Sequence, residues 1–311
     1  MKSFVNQHIL NERQFNRKNL ETLFERAREL APLNKPGFGA FLLQGQVISL
    51  LFYEPSTRTR FSFEAAAKIL GAWTLTSENT GIFSSAAKGE TLEDTIKVVN
   101  GYSDLIILRH PQPGSAKRAV NVSGIPIINA GDGTRSHPTQ ALLDLFTIEK
   151  EFGKIDGVSI AFVGDLAHYR AARSLCAILT NYKNIKIYFV APKNFKMEDD
   201  IKRLLKKSDV KYFETEILSD VLKKVDIVYM TRTAKEYFEN EDDYLKVRGM
   251  YIFKRIHLGQ MRNHGIVMHP LPRVGEIDIQ VDKSKKAAYF RQAKNGVAVR
   301  MALLSLIIGK T

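Results

Sequence analysis

The hexapeptide Pro55-Ser56-Thr57-Arg58-Thr59-Arg60 sets hydroxyl and guanidinium groups side by side. Such donors suit a phosphate-like anion, because hydrogen bonds between a charged donor and an oxyanion are short and strong. Before it runs Val47-Ile48-Ser49-Leu50-Leu51-Phe52, a short apolar stretch rich in β-branched and aromatic types, which reads as a buried strand. After it runs Phe61 to Leu70, Ala-rich, free of proline and closed by Gly71, which reads as a helix with a glycine cap. The first N–H groups of a helix have no partner inside it and carry roughly half a positive charge. Ser56, Thr57, Arg58 and Thr59 therefore stand at a strand-to-helix turn suited to an anion. Taken alone, the same residues also fit a plain N-cap followed by surface arginines.

Other basic groups follow other predicted strands. Leu105-Ile106-Ile107-Leu108 leads into Arg109-His110-Pro111. Ile125 to Ile128 ends in Asn129-Ala130-Gly131-Asp132-Gly133, and His137-Pro138-Thr139-Gln140 then opens a helix through Phe146. Between them, the polar stretch Ser77 to Gly89 carries Ser84 and Lys88 and is long for a structureless loop, which makes it a functional candidate. A second series begins near residue 157. Val158 to Val163 reads as a strand, with Gly164-Asp165-Leu166-Ala167-His168-Tyr169-Arg170 as its turn and Ala172 to Thr180 as a helix. The turn lacks the G-x-G-x-x-G spacing, so it is a weak dinucleotide signal. Val225 to Met230 leads to Thr231-Arg232, and Ile266 to Met268 leads to His269-Pro270-Leu271-Pro272-Arg273. Two prolines hold that last backbone and withhold N–H groups, leaving carbonyls to face a ligand; a turn alone explains them equally well.

The elements that must position these residues alternate strand and helix, and the polar clusters fall after the strands. In open α/β sheets ligands bind at that carboxyl edge. Residues 1–45 read as peripheral helix, with Phe15, Leu20, Leu23, Phe24, Ala27 and Leu30 at helical spacing. Asn295 to Gly309 reads as a last apolar helix. A length of 311 suggests about two domains. No apolar run approaches the roughly 20 residues that span a bilayer, and the first ten residues show no apolar signal core. The single cysteine, Cys176, excludes an internal disulfide and a cysteine-based zinc cluster, and sits in an apolar helix as a core residue. A soluble cytoplasmic protein is the expectation. The net charge of +13 raises nucleic-acid binding as a class. The lysines, however, are spread over 193–211, 223–224 and 283–294 with no dense arm. An enzyme with anionic substrates also benefits from a basic field, and a general lysine bias explains the charge as well.

Six motifs in order, Ser56-Thr57-Arg58-Thr59-Arg60, Lys88-Gly89-Glu90-Thr91, Arg109-His110-Pro111, His137-Pro138-Thr139-Gln140, Gly164-Asp165-Leu166 and His269-Pro270-Leu271-Pro272-Arg273, make the chain resemble the aspartate/ornithine carbamoyltransferase family along nearly its whole length. Pro270 stands where the ornithine branch usually has cysteine, which points to the aspartate branch. The resemblance implies two α/β domains, each a parallel sheet flanked by helices, with the active site in the cleft between them and domain closure over the substrates. Residues 1–148, completed by a helix at 292–311, would bind carbamoyl phosphate, and 149–291 the amino acid. Ser56, Thr57, Arg58 and Thr59 would hold the phosphate with Arg109. Thr59, Arg109 and His137 would donate to the carbonyl oxygen, with Gln140 and the Leu271 carbonyl on the carbamoyl NH2. Arg170 and Arg232 would bind the acceptor's carboxylates and Lys88 would join them on the amino acid, with Ser84 and Lys88 entering from a neighbouring subunit of a homotrimer. Arg58, Thr59, Arg109 and His137 would be catalytic. No metal or other cofactor is implied, and no membrane or nucleic-acid partner; a separate regulatory chain is an open partner.

The departures from the family pattern lie on the amino-acid side. Tyr169 replaces a small residue, Ala171 a threonine, and Ala234 a glutamine, and Glu236-Tyr237 stands for Glu-Arg. The carbamoyl-phosphate motifs are intact. The expected reaction is carbamoyl transfer to L-aspartate, early in pyrimidine synthesis. The same transfer to another amino acid is one alternative. A non-catalytic anion- or nucleic-acid-binding protein on the same fold is another.

Overall fold

Short apolar runs alternate with amphipathic stretches, and in the computed structural model they form two parallel sheets flanked by helices. The structure describes residues 3–35, 39–79, 89–232, 244 and 249–310. Two compact units divide the chain: Met1–Phe146 with Lys294–Thr311, and Thr147–Ala293.

The first unit holds β1 (Val47–Phe52), β2 (Trp73–Glu78), β3 (Leu105–His110) and β4 (Ile127–Asp132) in the order β2-β1-β3-β4, all parallel. The inner strands β1 and β3 are nearly continuous in apolar residues because both faces are covered. Helix α1 (Arg17–Leu30) buries Leu20, Leu23, Phe24, Ala27 and Leu30, and Asn16 caps it by accepting from the Asn19 N–H. The described residues among 1–45 are thus less helical than expected, with single turns beside α1. Helix α2 (Thr57–Ile69) follows β1 and stops at Gly71, whose φ of +84° favours glycine and where a Cβ would lie 3.0 Å from the Ala40 carbonyl. Helices α3 (Leu92–Asn100), α4 (Ser115–Val120) and α5 (Pro138–Phe152) complete the strand–helix succession. Strand β4 continues to Asp132, past the expected end at Ile128. Gly131 at φ +130° and a register shift against β3 between Leu108 and His110 let it continue through a polar stretch.

The second unit holds β5 (Ser159–Val163), β6 (Lys186–Val190), β7 (Lys211–Thr215), β8 (Ile227–Met230) and β9 (Ile266–Met268), parallel, in the order β7-β6-β5-β8-β9. Among the described residues its helices include α6 (Arg170–Leu179), α7 (Asp199–Lys207), α8 (Ser219–Leu222) and α9 (Arg255–Gln260). A core of Val163, Val190, Val228, Met230, Phe253, Val267 and Tyr289 forms around β5, β8 and β9. Cys176 is fully buried in α6, and burial pushes its thiol well up, as suits a core residue. Helix α10 (Tyr289–Ile308) ends the chain and starts six residues before its expected start at Asn295. Among the described residues no helix is long and apolar enough to cross a membrane.

Candidate active site

In the first unit, three neighbouring strands deliver the predicted groups to one sheet edge. Ser56 to Thr59 follow β1, Arg109 ends β3, and His137 follows β4. Ser56 occupies the N-cap of α2 but makes no side-chain capping bond, so its hydroxyl is not spent on the helix. Its N–H donates to Glu78 Oε1 at 3.3 Å. Thr57 and Arg58 are exposed, while Thr59 is buried. Arg60 serves the scaffold: it pairs with Glu64 at 3.4 Å and Glu78 at 3.1 Å.

Arg109 is held from two sides. Its guanidinium meets Glu54 Oε1 at 2.7 Å and donates to the Ala130 carbonyl at 3.3 Å. The fork of a guanidinium lets it keep these bonds while other N–H groups face elsewhere. The next residue, His110, meets Ser115 Oγ at 2.9 Å, and burial lowers its pKa, which keeps it neutral at pH 7. His137 is buried, and its carbonyl accepts from the Gln140 and Ala141 N–H groups as α5 begins at Pro138. Proline at the first helical position costs no hydrogen bond, since that N–H has no partner in a helix. Gln140 is buried one turn further, and its Nε2 donates to Asp144 Oδ1 at 2.8 Å.

The second unit repeats the scheme on β5, β8 and β9, again three neighbours. Arg170 opens α6 after β5, Arg232 follows β8, and Leu271 follows β9. Both arginines are half-buried. The β5 and β8 turns are fastened together. The Thr231 hydroxyl donates to the Val163 carbonyl at 2.8 Å and bonds the Asp165 carbonyl at 3.2 Å. Gly164 makes this approach possible: its φ is +118°, and a Cβ there would lie 2.5 Å from Thr231 Oγ1. Asp165 is buried, which raises its pKa, while bonds from His168 pull the other way. His168 Nδ1 lies 3.1 Å from Asp165 Oδ2. Tyr169 takes the N-cap of α6 without a side-chain capping bond, and Ala171 is buried in its first turn.

The turn after β9 is built around a histidine that the sequence left without a role. His269 is fully buried; the Leu271 N–H donates to its Nδ1 at 2.7 Å, so the ring proton sits on Nε2 and points at Glu276 Oε1, 2.7 Å away. The Gln292 side chain receives the His269 N–H at 2.9 Å. These bonds set Leu271 in the left-handed region, φ +59°, followed by a cis peptide to Pro272. Burial pushes the Glu276 pKa up, but the bond from His269, together with those from the Val274 and Glu276 N–H groups, outweighs it and leaves the carboxyl lowered. Arg273 is tied down beside it, bidentate to Asp282 and over the Tyr289 ring at 5.4 Å.

Ser84, Lys88 and Ala234, with Glu236-Tyr237, lie outside the described residues. The predicted groups of each unit that are described therefore share one sheet edge, Ser56, Thr57, Arg58, Thr59, Arg109, His137 and Gln140 in the first, Arg170, Arg232 and Leu271 in the second. Glu54, Asp144 and Glu276 were not singled out from sequence, and His269 stood in a quoted motif without an assigned role. The clue available for His269 was its place before two prolines; for Glu54 and Asp144 there was only a carboxylate near a predicted site residue.

Comparison with known proteins follows the same division. The family model for the aspartate/ornithine carbamoyltransferase carbamoyl-P binding domain matches residues 7–150, and that for the Asp/Orn binding domain matches residues 156–307. A chloroplastic aspartate carbamoyltransferase of Arabidopsis thaliana is 51% identical over 309 residues, covering 99% of this chain and 79% of that protein. The catalytic subunit of M. jannaschii aspartate transcarbamoylase superposes with a TM-score of 0.90 at 44% identity, covering 97% of this chain and 98% of that one. Aspartate transcarbamoylase from Trypanosoma cruzi, solved with N-(phosphonacetyl)-L-aspartic acid, gives 0.92 at 35% identity, covering 98% and 97%. The T. cruzi enzyme is also solved with carbamoyl phosphate, and with carbamoyl aspartate and phosphate. With both halves matched in order and half of its residues shared with a plant relative, the chain belongs to the aspartate/ornithine carbamoyltransferase family.

Proposed function

We propose that this protein transfers the carbamoyl group of carbamoyl phosphate to the amino group of L-aspartate, giving N-carbamoyl-L-aspartate and phosphate for pyrimidine synthesis. The observation that carries the reading is the pair of sheet edges, one bearing Ser56–Thr59, Arg109 and His137, the other Arg170 and Arg232. One suits a phosphate with an electrophilic carbonyl, the other a dicarboxylate. The T. cruzi relative, whose printed complexes hold these substrates and products, supports it.

The chemistry assigned to the residues is electrostatic. Ser56, Thr57, Arg58 and Arg109 bind the phosphate, and Thr59, Arg109 and His137 donate to the carbonyl oxygen. That oxygen gains negative charge as the amine attacks, so fixed donors favour the transition state over the bound substrate. Gln140 and the Leu271 carbonyl hold the carbamoyl NH2. Arg170 and Arg232 orient aspartate, each charge-assisted contact contributing roughly 1.5–3 kcal/mol. A C–N bond forms, the C–O bond to phosphate breaks, and the departing phosphate accepts the amine's proton. Positioning both reactants supplies much of the acceleration.

A homotrimer with Ser84 and Lys88 lent by a neighbouring subunit belongs to the same reading, as does a cytoplasmic location. Support for assembly comes from β2, an edge strand with Trp73 72% and Leu75 46% exposed, and from Phe41, 80% exposed, whose backbone abuts Gly71. The plant relatives, named chloroplastic, represent the competing location. A second reading, transfer to another amino acid, is favoured by Tyr169 at the α6 N-cap and Ala171 in its first turn, beside Arg170. Calorimetric titration with N-(phosphonacetyl)-L-aspartic acid separates the two. Binding far tighter than to phosphonoacetate supports aspartate as acceptor; equal affinities would favour the second reading.

A further inference from the structure

Behind Gln140 lies a polar arrangement that substrate binding alone does not explain. Helix α5 sets Gln140 and Asp144 one turn apart, with Gln140 Nε2 bonded to Asp144 Oδ1 at 2.8 Å. Asp144 has no exposed surface. An ionised carboxylate only accepts hydrogen bonds, so it selects the nitrogen end of the amide and turns the oxygen end away. A buried carboxylate also needs a counter-charge. A cation whose charge attracts that of Asp144 is Arg300 on helix α10, 3% exposed, whose guanidinium folds back onto Gly296 and lies over the Phe63 ring at 4.8 Å. A Cβ at position 296 would press on that guanidinium and shift it. Burial lowers the Arg300 pKa to about 10 against the opposing pull of Asp144, so it remains a cation at pH 7. Phe63 stands on α2, whose first turn carries Thr57 to Thr59. Three helices of the first unit thus contribute to one buried charge arrangement.

We infer that Asp144, through its bond to Gln140 Nε2, is a positioning residue that fixes the Gln140 amide with its carbonyl oxygen turned toward the carbamoyl NH2. The inference rests on the assignment of Gln140 given above. Asp144 touches no substrate; it acts by removing the second orientation of the amide, in which an NH2 group would confront an NH2 group.

A double-mutant cycle tests it, with the Michaelis constants for carbamoyl phosphate and for aspartate measured on the folded enzyme. Gln140→Ala should raise the constant for carbamoyl phosphate about tenfold, the scale of one lost hydrogen bond. Asp144→Asn, which can offer either end of its own amide, should raise it by a comparable factor and leave the aspartate constant within about twofold. In the Gln140→Ala background Asp144→Asn should add almost nothing, because the two act through one contact. Because Asp144→Asn leaves Arg300 without its counter-charge, the neutral pair Asp144→Asn with Arg300→Met is made as well and should show the same rise while folded. Effects that multiply across the cycle, or a folded neutral pair with the parent's constant, would overturn the inference. An unchanged constant in Gln140→Ala would instead remove the assignment of Gln140, and this inference with it.

Discussion

Arg58 and Arg109 hold their charge in different ways. Arg109 is nearly enclosed and braced by Glu54 and the Ala130 carbonyl, so its direction is set before any substrate arrives. Arg58 is exposed on the first turn of α2 and can be removed at little cost to the fold. Arg58→Ala should therefore lower turnover by about 10²–10³, the scale for losing one fixed charged donor to a group that gains charge in the transition state, here the departing phosphate, with a melting temperature near the parent's. Full activity in that variant would remove Arg58 from the mechanism. Asp226 does structural work at the opposite edge of the second sheet. It accepts from the Ser159 N–H at 2.8 Å and hydroxyl at 2.7 Å, and meets Arg262 and His264 at 2.7 Å each. Burial pushes its pKa up, but these bonds prevail and hold it at about 2 against an ordinary 3.8. A pKa depressed by folding means that the charged form stabilises the native state. That contribution, on the order of 2 kcal/mol, is complete above about pH 4 and fades as pH falls toward 2. Asp226→Asn should melt several degrees below the parent at pH 7, and the gap should close between pH 4 and pH 2. A gap that is constant with pH would mean the carboxylate's charge is not what matters.

At the scale of elements, the site is set by turns after strands. Gly164 and Thr231 fasten two of them, so Gly164→Ala must distort the turn that leads to Arg170 or push Thr231, which precedes Arg232. Strain of about 1–3 kcal/mol is the usual cost of such backbone positions. The variant should lose stability on that scale and bind aspartate more weakly, while carbamoyl phosphate affinity stays near the parent's. Similarly His269→Ala removes the acceptor of the Leu271 N–H and should impair carbamoyl phosphate use more than stability. The turns that carry Ser56–Thr59, Arg109, His137 and Arg170 were legible in sequence because each is a local signal, a short apolar run followed by polar residues and a helix start. What was not legible depends on distant partners. Strand β7 is Lys211-Tyr212-Phe213-Glu214-Thr215 at a sheet edge, with no apolar alternation to announce it. The end of β4 is apolar at Ile128 but continues to Asp132, since the Asn129 N–H finds the Ile9 carbonyl at 2.8 Å, a partner about 120 positions away. Glu276 escaped notice, and His269 had a place in a motif but no role, for the same reason: their roles follow from burial and bond geometry, which residue type does not disclose.

Over the whole molecule, the net charge of +13 draws phosphate and carboxylate substrates toward the surface and makes their capture sensitive to salt. Trp73 and Leu75 are exposed on the edge strand β2, and in the proposed trimer they would lie at the interface. Sedimentation should give three times the 35.2 kDa of one chain, and Trp73→Glu with Leu75→Glu should reduce it to one while lowering activity, if Ser84 and Lys88 act across the interface. A monomer of full activity would separate catalysis from assembly. The departures at Tyr169 and Ala171 leave the acceptor as the point on which the functional reading turns. The most direct measurement is a carbamoylation assay on the purified protein with carbamoyl phosphate and a panel of amines that includes aspartate, ornithine and putrescine, with products identified by mass. N-carbamoyl-L-aspartate formed in strong preference to every other product is the expected result. Efficient transfer to another amine with aspartate left unreacted would contradict it, and would make Tyr169 and Ala171 the residues that choose the acceptor.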